Sequence, residues 1–213
     1  MLNHLRNELQ NILSGKSQIG NGAIIQSIAG YLSDGSPASS ASENEKHYKK
    51  QETKRLEDYI SEKGYWAGNI DFSQYVSEGA EQKVYLKNSN HVLKLNDAIY
   101  YNSWRDYLYN LLLHNYFFPD TAYKLLGFTK DNNVLYAVVQ QPYVSITTET
   151  NLDQVKEFLT QNGFENIRNN DYFNPELGII LEDLHDENVL TRNDVLYFID
   201  TVFYIAANFW IQK

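Results

Sequence analysis

The chain has 213 residues, 43% of them apolar, and sets 18 Lys and Arg against 27 Asp and Glu for a net charge of −9. That composition excludes a disordered chain and leaves room for one large or two small domains with a real core, while the acidic balance argues against a nucleic-acid partner, whose phosphates call for a basic face. It contains no cysteine, which excludes disulfides and thiolate metal sites, and no apolar run approaches the ~18 residues of a membrane span.

The five histidines, at 4, 47, 91, 114 and 185, are scattered without metal-ligand spacing. The amphipathic, acidic start Met1-Leu-Asn-His-Leu-Arg-Asn-Glu-Leu does not read as a leader. A soluble cytoplasmic protein is expected.

In chain order, a short helical pattern and the apolar run Ala23–Ile28 give way to Ser33–Ser42, whose small residues predict a loop or linker. A charged helix is expected from about Glu45 to Glu62, closed by Gly64. Residues 1–70 thus form a helical N-terminal extension. From Tyr75 the texture turns to period-two alternation, with strands at Gln82–Lys87 and His91–Asn96 around the turn Asn88-Ser-Asn90. Ser103-Trp-Arg-Asp106 reads as a capping box opening a helix to about Phe117, with Pro119 beyond it. Strands near Lys124–Phe128 and Val134–Gln140 follow, then a helix at Asn151–Asn162 ended by Gly163, then a hairpin turning at Arg192–Asp194.

Two temptations fail. Gly15-Lys16-Ser17 echoes a phosphate-binding loop, but that motif needs a glycine where Gln10 stands. His114, after Leu111-Leu-Leu, reads as a satisfied core or boundary histidine.

The chemistry concentrates in Leu181-Glu-Asp-Leu-His-Asp-Glu-Asn-Val-Leu190 and Tyr197-Phe-Ile-Asp200. Asp183 and Asn188 stand five apart, and Asp200 follows a hydrophobic strand twelve residues later. Phosphoryl transfer needs a carboxylate near the attacking hydroxyl and oxygen ligands for magnesium beside the phosphates. Singly, each residue is an ordinary turn or strand-end residue; the hairpin between them gives the set its meaning.

This segment resembles the catalytic loop of protein kinases and aminoglycoside-type phosphotransferases, and from Tyr75 to Phe203 the chain most resembles the short kinase-like domains of polyvalent proteins from bacterial mobile elements. The blocks carrying that resemblance are Trp104 with His114–Pro119, Tyr136–Pro142, and Asp183 to Asp200. The resemblance implies an α+β, two-lobed kinase-like fold, with a small antiparallel sheet in the first lobe (71–144) and a reduced second lobe (145–213). It implies ATP and Mg²⁺, with Asp183 as base or hydroxyl-orienting group and Asn188 and Asp200 as metal ligands. Lys94 would contact the α- and β-phosphates, Gly79 would lie in the loop over them, Val84 would pack on adenine, and backbone near Gln141 and Tyr143 would meet its edge.

Departures accompany the match. Only Gly79 remains of three loop glycines, Thr201-Val202 replaces the usual Phe-Gly, and no glutamate lies between Lys94 and Val139 to fill the family's helix position. Thirteen residues follow Asp200, with no visible activation segment or peptide platform. The expected activity is transfer of the ATP γ-phosphate to a hydroxyl, protein Ser/Thr/Tyr first, with a nucleotide-binding pseudokinase and a small-molecule kinase as rivals.

Overall fold

Three helices open the chain in the computed structural model, which describes residues 2–34, 45–68, 70–71, 73–79 and 82–211: α1 (Leu2–Leu13), α2 (Ala23–Ser33) and α3 (Glu45–Lys63). On α2 the apolar residues Ile25, Ile28, Ala29 and Leu32 recur at helical spacing and are all buried. Leu9, Ile12 and Leu13 of α1 and Leu56 and Ile60 of α3 join the same cluster, which continues through Trp104, Leu108 and Leu112 of α4 (Trp104–Phe117). The opening helices therefore share one core with α4 rather than closing on themselves. Ser33 ends α2 and Asp34 caps it, while the rest of the expected Ser33–Ser42 linker lies outside the described residues. Arg6 of α1 is buried and donates to the carbonyls of Phe209, at 3.0 Å, and Asn208, which ties the first helix to the last residues. No helix among the described residues is long and apolar enough to cross a membrane.

The start of α4 is over-determined. Ser103 is the N-cap: its hydroxyl accepts from the Asp106 N–H at 3.0 Å and donates to the Asp106 carboxylate at 2.7 Å. Glu52, buried on α3, accepts from the Trp104 N–H at 2.7 Å. Desolvation raises its pKa, against the lowering effect of the Trp104 and Arg105 amides. Two side chains thus satisfy amides that the first helical turn leaves open. The Ser103–Asp106 half was legible in the sequence; Glu52 arrives from another element.

Beyond α3 an antiparallel five-stranded sheet forms from β1 (Tyr75–Glu78), β2 (Gln82–Asn88), β3 (His91–Asn96), β4 (Lys124–Asp131) and β5 (Val134–Pro142), in the order β1-β2-β3-β5-β4. Asn132 and Asn133 connect β4 to β5 at φ 49° and 65°, the positive values of a two-residue hairpin turn matched to strand twist. The Tyr143 N–H donates to the Asn90 carbonyl at 2.8 Å, and Pro142 faces His91 one step before. Alternation of the ladder places the proline nitrogen where no bond to β3 is due. At Gly127, with φ 143°, a Cβ would stand 2.4 Å from the Tyr65 carbonyl oxygen. Only glycine lets the Tyr65–Ala67 segment lie alongside β4, bonded through Phe128 at 2.9 and 2.8 Å.

After α5 (Leu152–Gln161), capped by Asn151, the chain returns to strands: β6 (Glu165–Arg168), β7 (Asp171–Asn174), β8 (Ile179–Glu182), β9 (Val189–Arg192), β10 (Val195–Phe198) and β11 (Val202–Ile205). β9 and β10 make the expected hairpin, whereas β11-β8-β7-β6 form a second antiparallel sheet that the sequence reading had not anticipated. The α+β class holds; Asp183 follows β8 of the second sheet, and Asp200 lies between β10 of the hairpin and β11 of the second sheet.

Candidate active site

The register of β3 decides which way its lysine faces. Leu93 and Leu95 pack with Tyr85 and Val138 on one side of the sheet; period two turns Val92 and Lys94 to the other. Lys94 lies opposite Val84 on β2 and Val139 on β5 and is 4% exposed. A buried ammonium is costly unless bonded and paired. Here Nζ donates to the Ile199 carbonyl at 2.9 Å, stands 3.6 Å from Asp200 Oδ2, and sits 5.5 Å from the Tyr123 ring centre. The Tyr123 hydroxyl donates to the same Ile199 carbonyl at 2.9 Å.

Asp200 is held from two further directions. The Asn188 carbonyl accepts the N–H groups of Ile199 at 2.9 Å and Asp200 at 3.3 Å, so the β9–β10 hairpin closes with Asp200 beside Asn188. From β2, the Gln82 side-chain amide donates to Asp200 Oδ2. Under this cluster, Thr201 donates its hydroxyl to His114 Nδ1 at 2.7 Å, and His114 Nε2–H donates to the Thr121 carbonyl at 3.1 Å. A carbonyl can only accept, which fixes that neutral tautomer. Burial, with a smaller push from the Lys94 charge and against the bond to Thr121, lowers the His114 pKa to about 3. It is a core histidine, as its place after three leucines implied.

Asp183 follows β8 at φ 66°, in the left-handed region. Its N–H donates to Asp171 Oδ1 at 3.1 Å. Asn188 Nδ2 donates both to the Asp183 carbonyl at 2.8 Å and to its carboxylate Oδ2 at 3.0 Å. The amide nitrogen of Asn188 is thereby turned to Asp183, which turns its oxygen away. Beside them, burial chiefly, then the charges of Asp171 and Asp183, raise the Glu182 pKa.

Lys94, Asp183, Asn188 and Asp200 all line one cleft of about 770 Å³, and Gly79, Val84, Gln141 and Tyr143 line it too. The details differ from expectation at two of these, Gly79 and Tyr143. The Gly79 N–H is taken by the Gln82 carbonyl at 2.9 Å, and a Cβ there would meet nothing nearer than 4.0 Å, so the backbone itself does not demand glycine. Ala80 and Glu81, next in the chain, lie outside the described residues. The Gln141 side chain is buried and donates to the Thr121 carbonyl at 2.8 Å, away from an incoming ligand. Tyr143 is half-exposed, with its N–H bound to Asn90. Sequence reasoning missed Val92, Leu190 and Ile199 as apolar lining, and Gln82 and His185 as polar lining. Leu190, two residues after Asn188 on a strand, carried a usable signal; Gln82 carried none.

The family described as Serine/Threonine/Tyrosine Kinase found in polyvalent proteins matches residues 49–207. The match starts within α3, ahead of the resemblance read from Tyr75 onward, and spans all three sheets and the whole cleft. No curated protein and no solved structure matches the chain. A match over that length, with the cleft inside it, makes the chain a member of the serine/threonine/tyrosine kinase family found in polyvalent proteins.

Proposed function

We propose that this chain binds ATP and Mg²⁺ in the cleft between its five-stranded sheet and the strands that follow α5, as between the lobes of a kinase, and moves the γ-phosphate to a hydroxyl of a protein Ser, Thr or Tyr. The observation that carries the reading is the placement of Asp200: tied to Lys94 from β3 and pinned to Asn188 by the closing hairpin, with Asp183 braced on the same rim. A cleft of about 770 Å³ suits a nucleotide. Val84 and Val92 on one wall and Leu190 and Ile199 on the other offer adenine apolar faces. With the Tyr143 amide spent, adenine would take its backbone hydrogen bond from the next N–H, that of Val144.

The donor set also fits the cation. Among the described residues no three His, Cys, Asp or Glu gather to hold a metal, yet magnesium takes one or two protein oxygens beside phosphate and water. The Asp200 carboxylate and the outward-turned Asn188 oxygen supply two. When bound, the ion would offset the negative charge of the phosphates. Lys94 would bind and orient the α- and β-phosphates. Asp183 would align the acceptor hydroxyl and take its proton as the oxygen–phosphorus bond forms and the bond from γ-phosphorus to its bridging oxygen breaks, releasing ADP.

Incubation with γ-labelled ATP, magnesium and a mixed Ser/Thr/Tyr protein acceptor tests the reading. Label on the acceptor, abolished in Asp183→Ala, supports it. Label only on small hydroxylated compounds replaces the acceptor class. MgATP binding with no transfer to either supports the pseudokinase reading, which the committed Gly79 amide and the absence of glutamate from α4 favour.

A further inference from the structure

Period two puts Gln82 and Val84 on one face of β2, and Val84 stands opposite Lys94 on β3, so all three turn toward the cleft. From that face the Gln82 side chain reaches across and donates its amide to Asp200 Oδ2. An ionised carboxylate only accepts, which puts the amide nitrogen, and not its oxygen, on Oδ2. Lys94 Nζ stands 3.6 Å from the same atom. Two donors from the first sheet thus converge on one oxygen, while Oδ1 takes no hydrogen bond among the described residues. In the glycine-loop pattern G-x-G-x-x-G-x-V, with Val84 as its valine, Gln82 takes the place of the third glycine. This reach is therefore open to this chain and closed to one that keeps the pattern.

We propose that Gln82 is a positioning residue for the cation site: by holding Oδ2 beside Lys94 it fixes the Asp200 carboxylate and leaves the other oxygen to magnesium. This rests on the metal-holding role proposed for Asp200. The hold matters because the Asp200 side chain is 29% accessible, and a carboxylate free to rotate loses the alignment that a ligand needs. Partners that orient a metal-binding side chain typically set metal affinity by 10- to 100-fold. The Gln82 backbone is engaged at the same place. Its carbonyl accepts the Gly79 N–H at 2.9 Å, one rung past the Glu78–Lys83 pair. One residue thus joins the end of the β1–β2 ladder to the carboxylate across the cleft.

Gln82→Met tests the role, because it keeps the length of the side chain and removes its donor. Titration calorimetry compares ATP with magnesium against ATP with EDTA. Expected is a loss of MgATP affinity on the order of tenfold, with metal-free ATP affinity unchanged. Added to Asp200→Asn, Gln82→Met should cause no further loss, since it acts through that carboxylate. Equal loss with and without magnesium, or full additivity on Asp200→Asn, overturns the proposal. So does tighter MgATP binding, which would make the Gln82–Asp200 bond a bolt that the cation must draw. A wild-type chain that binds no MgATP overturns the kinase reading and this role with it, whereas wild-type affinity in Gln82→Met overturns the role alone. The bond itself is read without ligand and without altering Gln82. Its side-chain amide protons should resonate downfield in the wild type and move upfield in Asp200→Asn, where the charged acceptor is lost; resonances that stay in place refute the hold.

Discussion

Alanine at Asp183 removes most phosphate transfer, by about 10²–10⁴-fold, and leaves MgATP affinity nearly intact. Asparagine at Asp200 removes transfer and weakens magnesium-dependent nucleotide binding as well. The split follows from where the two carboxylates are held. Asp200 sits against Lys94 and Gln82 and beside Asn188, where phosphates and cation would lie. Asp183 is exposed at the rim, bonded to Asn188 but to neither Lys94 nor Gln82, and is proposed to act on a hydroxyl that is absent when only ATP is bound. Asparagine is the better choice at Asp200, because it retains an acceptor oxygen toward Lys94, whose buried charge would otherwise lose part of its compensation. Isothermal titration of MgATP with each variant, beside single-turnover transfer, separates the roles. Parental transfer by Asp183→Ala would move the base elsewhere, with Asp186 the first to examine.

The second large effect is on stability. Between about pH 6.5 and 3 the protein should lose on the order of 5 kcal/mol through His114 alone. Its pKa is lowered by burial to about 3 in the folded chain, so on acidification the unfolded chain takes up a proton first. The unfolded state then binds more protons than the native one, and stability must fall with pH through that window. The contribution is complete above the ordinary histidine pKa and is lost on the way down to the folded one. Glu52 works in the opposite sense, since its raised pKa favours the native state as pH falls. The difference between wild type and His114→Gln therefore isolates the effect. Urea midpoints from pH 7 to 4 should slope downward in wild type and lose that component in His114→Gln, even though the variant starts lower. Parallel curves would mean that the buried imidazole already carries its proton.

The cleft was largely legible because kinase-type chemistry needs its residue types at short, fixed spacings: Asp183, Asn188 and Asp200 are set by one loop and one hairpin, and Lys94 by its place on the second strand of a hairpin. Its facing was not legible, since leucines flank Lys94 on both sides. It was settled by which face the segment around Ala67 and Ile70 covers. The second sheet was hidden for a different reason. Glu165–Arg168 is exposed along its whole length and so shows no alternation. On β7 the buried positions are Tyr172 and Asn174, and a buried asparagine breaks the apolar count. Asn174 is inside because its side-chain oxygen accepts from the N–H groups of Glu176 and Leu177, at 3.1 and 2.9 Å, in the turn before β8. Contacts made across long sequence separations, such as Glu52 on the start of α4 or Gln82 on Asp200, leave no mark in any local window.

The most direct measurement of whether this cleft holds a nucleotide is thermal unfolding with and without MgATP. A ligand that binds only the native chain stabilises it by RT ln(1 + [L]/Kd), about 2.7 kcal/mol at a hundredfold excess over Kd, or a rise of roughly 5–10 °C for a chain of this size. The rise should require magnesium and should be absent or much reduced in Asp200→Asn. No rise at millimolar MgATP in the wild-type chain would contradict the kinase reading of the cleft and the pseudokinase reading with it.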